Sequence, residues 1–270
     1  MPELPEVEIY SRYFAEHALQ QTIERVRVRD DRILGDIRKE KFASTFRGRM
    51  FTQVRRHGKH LFALATGRRE PATWLHLHFG MTGDLAYYQS DEPRFARVVF
   101  DFDNDFHLAF EDMRLFGIAD VTPDPDAFII DHRLGPDPLD PSFTLRKFRA
   151  LAAHRRGAVK SLLMSQEIIA GIGNLYADET LFQSSIHPRR TVDRLSDVEV
   201  KAIYTAMRRI LREVIARKIR HAGYPPHFLI YHREEGDRCP RCGGAIRKSV
   251  VFGRTTYFCG KHQNNRVGKI

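Results

Sequence analysis

Leu134-Gly135-Pro136-Asp137-Pro138-Leu139-Asp140-Pro141 divides the 270-residue chain. Three prolines and a glycine in eight residues suit neither a helix interior nor a strand ladder. Upstream, the runs Phe51 to Arg55, His60 to Leu64, Thr73 to His78, Arg97 to Phe102 and His107 to Phe110 read as strands. Turn residues such as Arg56-His57-Gly58, Thr66-Gly67 and Asp103-Asn104-Asp105 separate these runs. The pattern from Arg25 to Val121 predicts an antiparallel β-sandwich. A leading helix is expected over Pro5–Ala18, with Val7, Tyr10, Phe14 and Leu19 at helical spacing and Glu3, Glu6 and Glu8 at its positive end. Downstream, Ser196 and Glu199 form a capping-box signature before Val200, Ile203, Tyr204, Met207, Ile210, Leu211 and Val214. The solvent face of that helix is expected to carry Arg208, Arg209, Arg212, Arg217 and Lys218.

The expected fold class is therefore α+β and multidomain. Residues 1–133 form a sandwich domain, 134–142 a linker, 143–231 a helical domain and 232–270 a C-terminal finger. No apolar run approaches the roughly 18 residues that span a bilayer, and the acidic start is unlike a signal peptide. A cytoplasmic protein is expected.

Charge is split between the halves. The whole chain carries 44 Lys+Arg and 34 Asp+Glu, a net +10. Residues 1–142 hold 19 basic and 24 acidic residues, a net −5, and residues 143–270 hold 25 and 10, a net +15. A field of that sign suits a polyanion bound with counterion release.

All three cysteines lie near the C-terminus, an odd and clustered set that no disulfide framework explains. Cys239-x2-Cys242-x16-Cys259-x2-His262 has the paired knuckles of a zinc ribbon, and three thiolates plus an imidazole complete a tetrahedral shell for one structural Zn2+. Ile246 to Val251 and Arg254 to Phe258 read as the strands of a hairpin, with Gly253 near its turn. Arg254 would then project from a metal-stiffened tip.

Four motifs, in order, resemble the formamidopyrimidine-DNA glycosylase/endonuclease VIII family: Met1-Pro-Glu-Leu-Pro-Glu-Val-Glu8, His78-Phe-Gly-Met-Thr-Gly83, Gly171-Ile-Gly-Asn-Leu-Tyr-Ala-Asp-Glu179 and the ribbon with Gly253-Arg-Thr-Thr-Tyr-Phe-Cys259. The resemblance spans the whole chain. It implies a β-sandwich, a helix-two-turn-helix domain and a zinc finger, with damaged double-stranded DNA bound in the cleft between them by a monomer. It also implies a bifunctional DNA glycosylase and AP lyase of base excision repair, cytoplasmic or nucleoid-associated.

The chemistry follows from elementary properties. Removal of Met1 would leave Pro2 as a secondary amine. An α-amino group titrates near roughly 8, against about 10.4 for lysine, so much more of it is nucleophilic at neutral pH. Such an amine can attack C1′, expel the base and hold the sugar as a Schiff base, from which β- and δ-elimination cut the strand. Glu3 is the adjacent proton shuttle. By the resemblance, Lys59 lies close to the lesion and its phosphate, and Met81, Arg114 and Phe116 fill the space a flipped nucleotide leaves. Asn174, Lys160 and Arg254 match phosphate contacts.

This chain departs from the family at three places. His262 stands where a fourth cysteine is usual. Met113 and Leu115 replace the proline and second arginine of the formamidopyrimidine branch. The stretch from Arg220 to Tyr231 is short where the 8-oxoguanine-specific branch has a long glycine-rich capping loop, which argues against that preference. Two competing functions remain: a non-catalytic binder of damaged DNA or DNA structures with the same fold, and an RNA- or ribosome-associated zinc-ribbon protein.

Overall fold

Helix α1 (Leu4–Ala18) starts one residue before the expected position, with Pro5 in its first turn, where the missing N–H costs nothing. Its buried face comprises Leu4, Val7, Tyr10, Phe14 and Ala18. The computed structural model describes residues 2–67, 71–220 and 222–263. Two compact units meet at His132 and Arg133 in sequence.

In the first unit the strands are β1 (Ile23–Val28), β2 (Met50–His57), β3 (His60–Thr66), β4 (Thr73–His78), β5 (Gly83–Tyr88), β6 (Ala96–Phe102), β7 (His107–Asp112) and β8 (Ile118–Thr122). They form two four-stranded antiparallel sheets, ordered β1-β6-β7-β5 and β2-β3-β4-β8. Phe51, Leu61 and Leu77 from one sheet meet Val98, Phe100 and Phe110 from the other in a core that also takes Phe14 of α1. Strands do not account for all of residues 25–121, because α2 (Lys39–Phe46) interrupts them. Phe42 and Phe46, one turn apart, are its two buried residues, with ring centroids 5.0 Å apart. Two aromatic anchors in eight residues are too few to show a helical period. Helix α3 (Pro125–Asp131) closes this unit, capped by the Asp124 carboxylate.

The second unit contains α4 (Leu145–Ala152), α5 (Val159–Met164), α6 (Asn174–Ser184) and α7 (Asp197–Ala216), followed by the hairpin β9 (Ile246–Val251) and β10 (Arg254–Cys259). The capping box forms as read, Ser196 N–H donating to Glu199 Oε2 at 2.7 Å and Glu199 N–H to Ser196 Oγ at 3.3 Å. The proline-rich segment 134–142 is docked onto this unit. Gly135 N–H donates to Gln166 O at 2.8 Å, and Ala170 N–H donates to Pro136 O at 3.1 Å. Arg208, expected on a solvent face, instead donates to the carbonyls of Pro138 at 2.8 Å and Phe143 at 2.9 Å. Proline has no N–H to engage in a backbone ladder, so the carbonyls around it need an outside donor. Among the described residues, no helix is long and apolar enough to cross a membrane.

Candidate active site and metal centre

Pro2 and Glu3 are both buried immediately before α1. Glu3 N–H donates to Glu6 Oε2 at 2.9 Å, and Val7 N–H donates to Glu3 O at 3.1 Å, so both residues are held at the positive end of the helix. One turn further on, Glu8 Oε2 accepts from Arg56 Nε of β2 at 2.8 Å, and Arg56 Nη1 donates to Gly58 O at 3.2 Å. Arg56 thus ties the start of α1 to the two-residue turn Gly58-Lys59 between β2 and β3.

Beyond Lys59 lies a group of histidines. His60 and His78 are cross-strand partners, and His60 Nδ1 and His76 Nε2 are 2.9 Å apart. Phe128 of α3 packs on His76 and stacks on His132. Burial holds His76 at about 3 and His78 at about 4, the Lys59 charge adding to the effect at His78. His60 is held well below its ordinary value, by burial first and then by His78, His76, His132 and His57. These rings are therefore neutral in the fold, while the unfolded chain takes up protons below about pH 6.5. Stability of the first unit is expected to be fully present above pH 6.5 and to fall progressively toward pH 3. In His76→Leu the slope should be shallower by up to about 1.4 kcal/mol per pH unit between pH 4 and 6. Trp74, the one tryptophan of the chain, sits in β4 and reports this unit in urea titrations at each pH.

Met81, Arg114 and Phe116 lie on two adjoining loops. Met81 is 41% exposed and Phe116 54%, and the Arg114 guanidinium lies 4.9 Å from the Phe116 ring centroid. The loops approach backbone to backbone: a Cβ on Gly80 would come within 2.3 Å of the Phe116 carbonyl carbon. Asp112, fully buried, holds them together. Its carboxylate accepts from Thr82 Oγ1, from Arg114 N–H at 3.1 Å and from Gly117 N–H at 2.6 Å. Leu115, at φ +57°, turns inward onto the sandwich core, and Met113 stays exposed.

In the second unit, Gln166 organises the loop leading into α6, accepting from Gly171 N–H at 2.8 Å and donating to Ile172 O at 2.7 Å. Asn174 Nδ2 donates to Thr255 O of β10 at 3.0 Å. Lys160, expected from the resemblance as a phosphate contact, is completely buried. Its ammonium lies 2.6 Å from Asp178 Oδ1 and donates to Thr256 Oγ1 at 2.7 Å. Asp178 also accepts from Tyr257 N–H at 3.2 Å and pairs with Arg233 at 3.0 Å, while Arg233 lies over the Tyr257 ring. A charge removed from water needs such partners, so Lys160 acts here as an internal strut between α5, α6 and β10. Arg254 is exposed two residues from Thr256.

Cys239, Cys242, Cys259 and His262 place their ligand atoms within 4.8 Å of one another. Cys242 Sγ is 3.5 Å from Cys259 Sγ and 3.6 Å from His262 Nδ1. The edges of a zinc tetrahedron with 2.3 Å Zn–S bonds are about 3.8 Å, close to these separations. His262 Nε2 lies 3.3 Å from Phe182 O, a contact that turns Nδ1 toward the thiols, as a metal-binding imidazole requires. Arg241 and Lys261 donate backbone N–H groups to Cys239 and Cys259 sulfur, each at 3.4 Å.

Residues 1–119 match the model of the formamidopyrimidine-DNA glycosylase N-terminal domain, and residues 134–222 that of the formamidopyrimidine-DNA glycosylase H2TH domain. The formamidopyrimidine-DNA glycosylases of Heliobacterium modesticaldum and Geobacter metallireducens are 34% and 35% identical to this chain, each alignment covering 97% of it and 100% of the relative. The chain belongs to the formamidopyrimidine-DNA glycosylase family. Solved structures of that family share its fold. MutM in complex with carbocyclic 8-oxo-G containing DNA superposes with a TM-score of 0.88 at 26% identity, covering 98% of this chain and all of that one. Lactococcus lactis Fpg, non-covalently bound to AP-site DNA, gives 0.85 at 26% identity, covering 97% of this chain and all of that one.

This formamidopyrimidine-DNA glycosylase family member thus combines a β-sandwich, a helix-two-turn-helix domain and a finger with a Cys3His cluster. Four organising residues were not singled out in the sequence: Arg56, Asp112, Gln166 and Asp178. Each is a single polar residue whose partner is distant in sequence or is a backbone group, so no spacing rule marks it. Glu179, in the same motif as Asn174, is another. Burial pushes its carboxyl up to about 7, against hydrogen bonds from Gln183 and the Ile230 N–H.

Proposed function

We propose that this chain is a base-excision-repair DNA glycosylase with AP-lyase activity acting on damaged double-stranded DNA through Pro2. The supporting observation is the buried Pro2-Glu3 pair at the positive end of α1, in a chain aligned with glycosylases over nearly its whole length. After loss of Met1, the Pro2 nitrogen bonds to C1′ and the glycosidic electron pair leaves with the base, which gains a proton. The nitrogen gives up its proton, and the C1′–O4′ bond then breaks with O4′ taking a proton, which opens the sugar and leaves an iminium at C1′. The iminium acidifies C2′, and loss of that proton expels the 3′ phosphate. Glu3 moves these protons, and Lys59 holds a positive charge beside the lesion phosphate. Met81, Arg114 and Phe116 enter the duplex where the nucleotide has left, and Arg254 with the first turn of α6 at Asn174 binds phosphates.

Zn2+ is the ion that the three thiols and one imidazole suit. When bound it is structural, because four protein ligands leave no position for water. Between α7 and the finger, Gly223 N–H donates to Tyr231 Oη at 2.8 Å, and Phe228 and Leu229 are buried. This short, packed segment supports a preference for lesions other than 8-oxoguanine.

Borohydride trapping on duplexes carrying oxidised purines, oxidised pyrimidines or abasic sites tests the assignment. A covalent adduct mapped by mass to Pro2 is expected. No adduct on any substrate, with folded protein that binds DNA, would overturn it.

Lys160 is assigned to positioning the finger. Lys160→Met should destabilise the second unit by about 3 kcal/mol, since it leaves Asp178 short of a partner in the interior. DNA affinity should fall with no change in its salt dependence, because a buried ammonium displaces no counterion. A salt slope reduced by about one would instead mark a direct phosphate contact.

A further inference from the structure

The finger hairpin ends in an unusual turn. Val251 pairs with Arg254, so Phe252-Gly253 is a two-residue loop, and both residues have positive φ, +51° and +66°. That is the sign pattern of a type I′ turn, which favours asparagine, aspartate or glycine at its first position. Phenylalanine in the left-handed region is strained by its Cβ, and here no burial offsets the strain. Phe252 is 68% exposed and Val250, two residues before it, 62%.

Two basic groups flank this apolar tip. Arg254, the residue after the turn, is exposed. Exposed Arg189 donates to Val250 O at 3.1 Å, bringing a second cation to its base. An apolar point flanked by cations matches a surface with apolar faces between anions. The sugar-phosphate wall of DNA has that composition, with a deoxyribose beside every phosphate.

We propose that Phe252 is a DNA contact, packing its ring on the deoxyribose faces of the strand whose phosphate Arg254 holds. The proposal rests on the DNA glycosylase reading above. Outward strain at a functional tip persists when the surrounding structure enforces it, and the hairpin is anchored by the Cys/His cluster at one end and by Lys160 and Asn174 along β10. The contact is independent of sequence and lesion, since sugars carry no base identity.

The test uses the full-length, zinc-loaded protein and fluorescent duplexes, one undamaged and one with a stable abasic-site analogue, titrated over a salt series. Phe252→Asn places a residue at home in this turn, so its thermal midpoint should equal or exceed that of the parent. Its affinity for both duplexes should fall about tenfold, with an unchanged slope of log Kd against log salt. Arg254→Ala is the contrast, reducing that slope by about one. Unchanged affinity of Phe252→Asn overturns the proposal. So does a loss confined to the damaged duplex, which would mark a lesion-specific wedge. Borohydride trapping of the parent protein on abasic DNA is run in parallel. If the parent forms no adduct the glycosylase reading fails, whereas the binding comparison still decides the role of Phe252.

Discussion

Glu3→Gln is expected to slow base excision by two to four orders of magnitude in single-turnover assays, the range associated with a positioned acid-base group. The substitution is nearly isosteric. The hydrogen bond to Glu6 comes from the residue 3 backbone and survives, as does the Val7 bond to the residue 3 carbonyl. Thermal stability should therefore change little, and any loss of rate reports chemistry. A preformed abasic site has no base to expel, so the variant should still yield a borohydride adduct on abasic DNA. Full excision activity in Glu3→Gln would remove Glu3 from the mechanism. Loss of trapping on both substrates would place its role in holding Pro2.

Metal removal is expected to have the largest effect on stability. Structural zinc in finger peptides contributes roughly 10 to 16 kcal/mol at neutral pH, more than the total stability of most domains. The cluster of Cys239, Ile246 and Cys259 with Phe182 and Leu229 is small, and both its cysteines belong to the Cys3His group that could hold the metal. Chelation should therefore release amide protection across residues 237–263 in hydrogen exchange and weaken DNA binding by about a hundredfold or more. The first unit has its own core, so the Trp74 unfolding midpoint should not move. His262→Cys should retain the metal, because a fourth thiolate completes the same shell, while His262→Ala should lose it. A finger that keeps its protection after verified metal loss would contradict the structural role.

The legible parts of this chain share one property: their chemistry is local. Helix α7 could be read because eight buried positions recur along twenty residues behind a capping box. The Cys3His cluster could be read because two-residue gaps pair Cys239 with Cys242 and Cys259 with His262. Helix α2 was hidden because it is short and buries only Phe42 and Phe46. Lys160 reads in sequence as a phosphate contact, yet Asp178 and Thr256 enclose it from 18 and 96 residues away. Asp112 could not be distinguished from other acidic loop residues until Thr82 and two backbone N–H groups converged on it.

By itself the sequence determined the sandwich, the helical unit, the Cys3His ligand set and the family, because periodicity, spacing and order along the chain carry those. Only the tertiary structure decided which charges are tools and which are struts. Burial turned Lys160 and Arg208 inward, and it left Arg254 and Phe252 outside on a turn that strains the phenylalanine. The reason is physical. A residue type sets what a side chain can do, but its solvent exposure and partners, contributed by distant segments, set the free energy at which it does so.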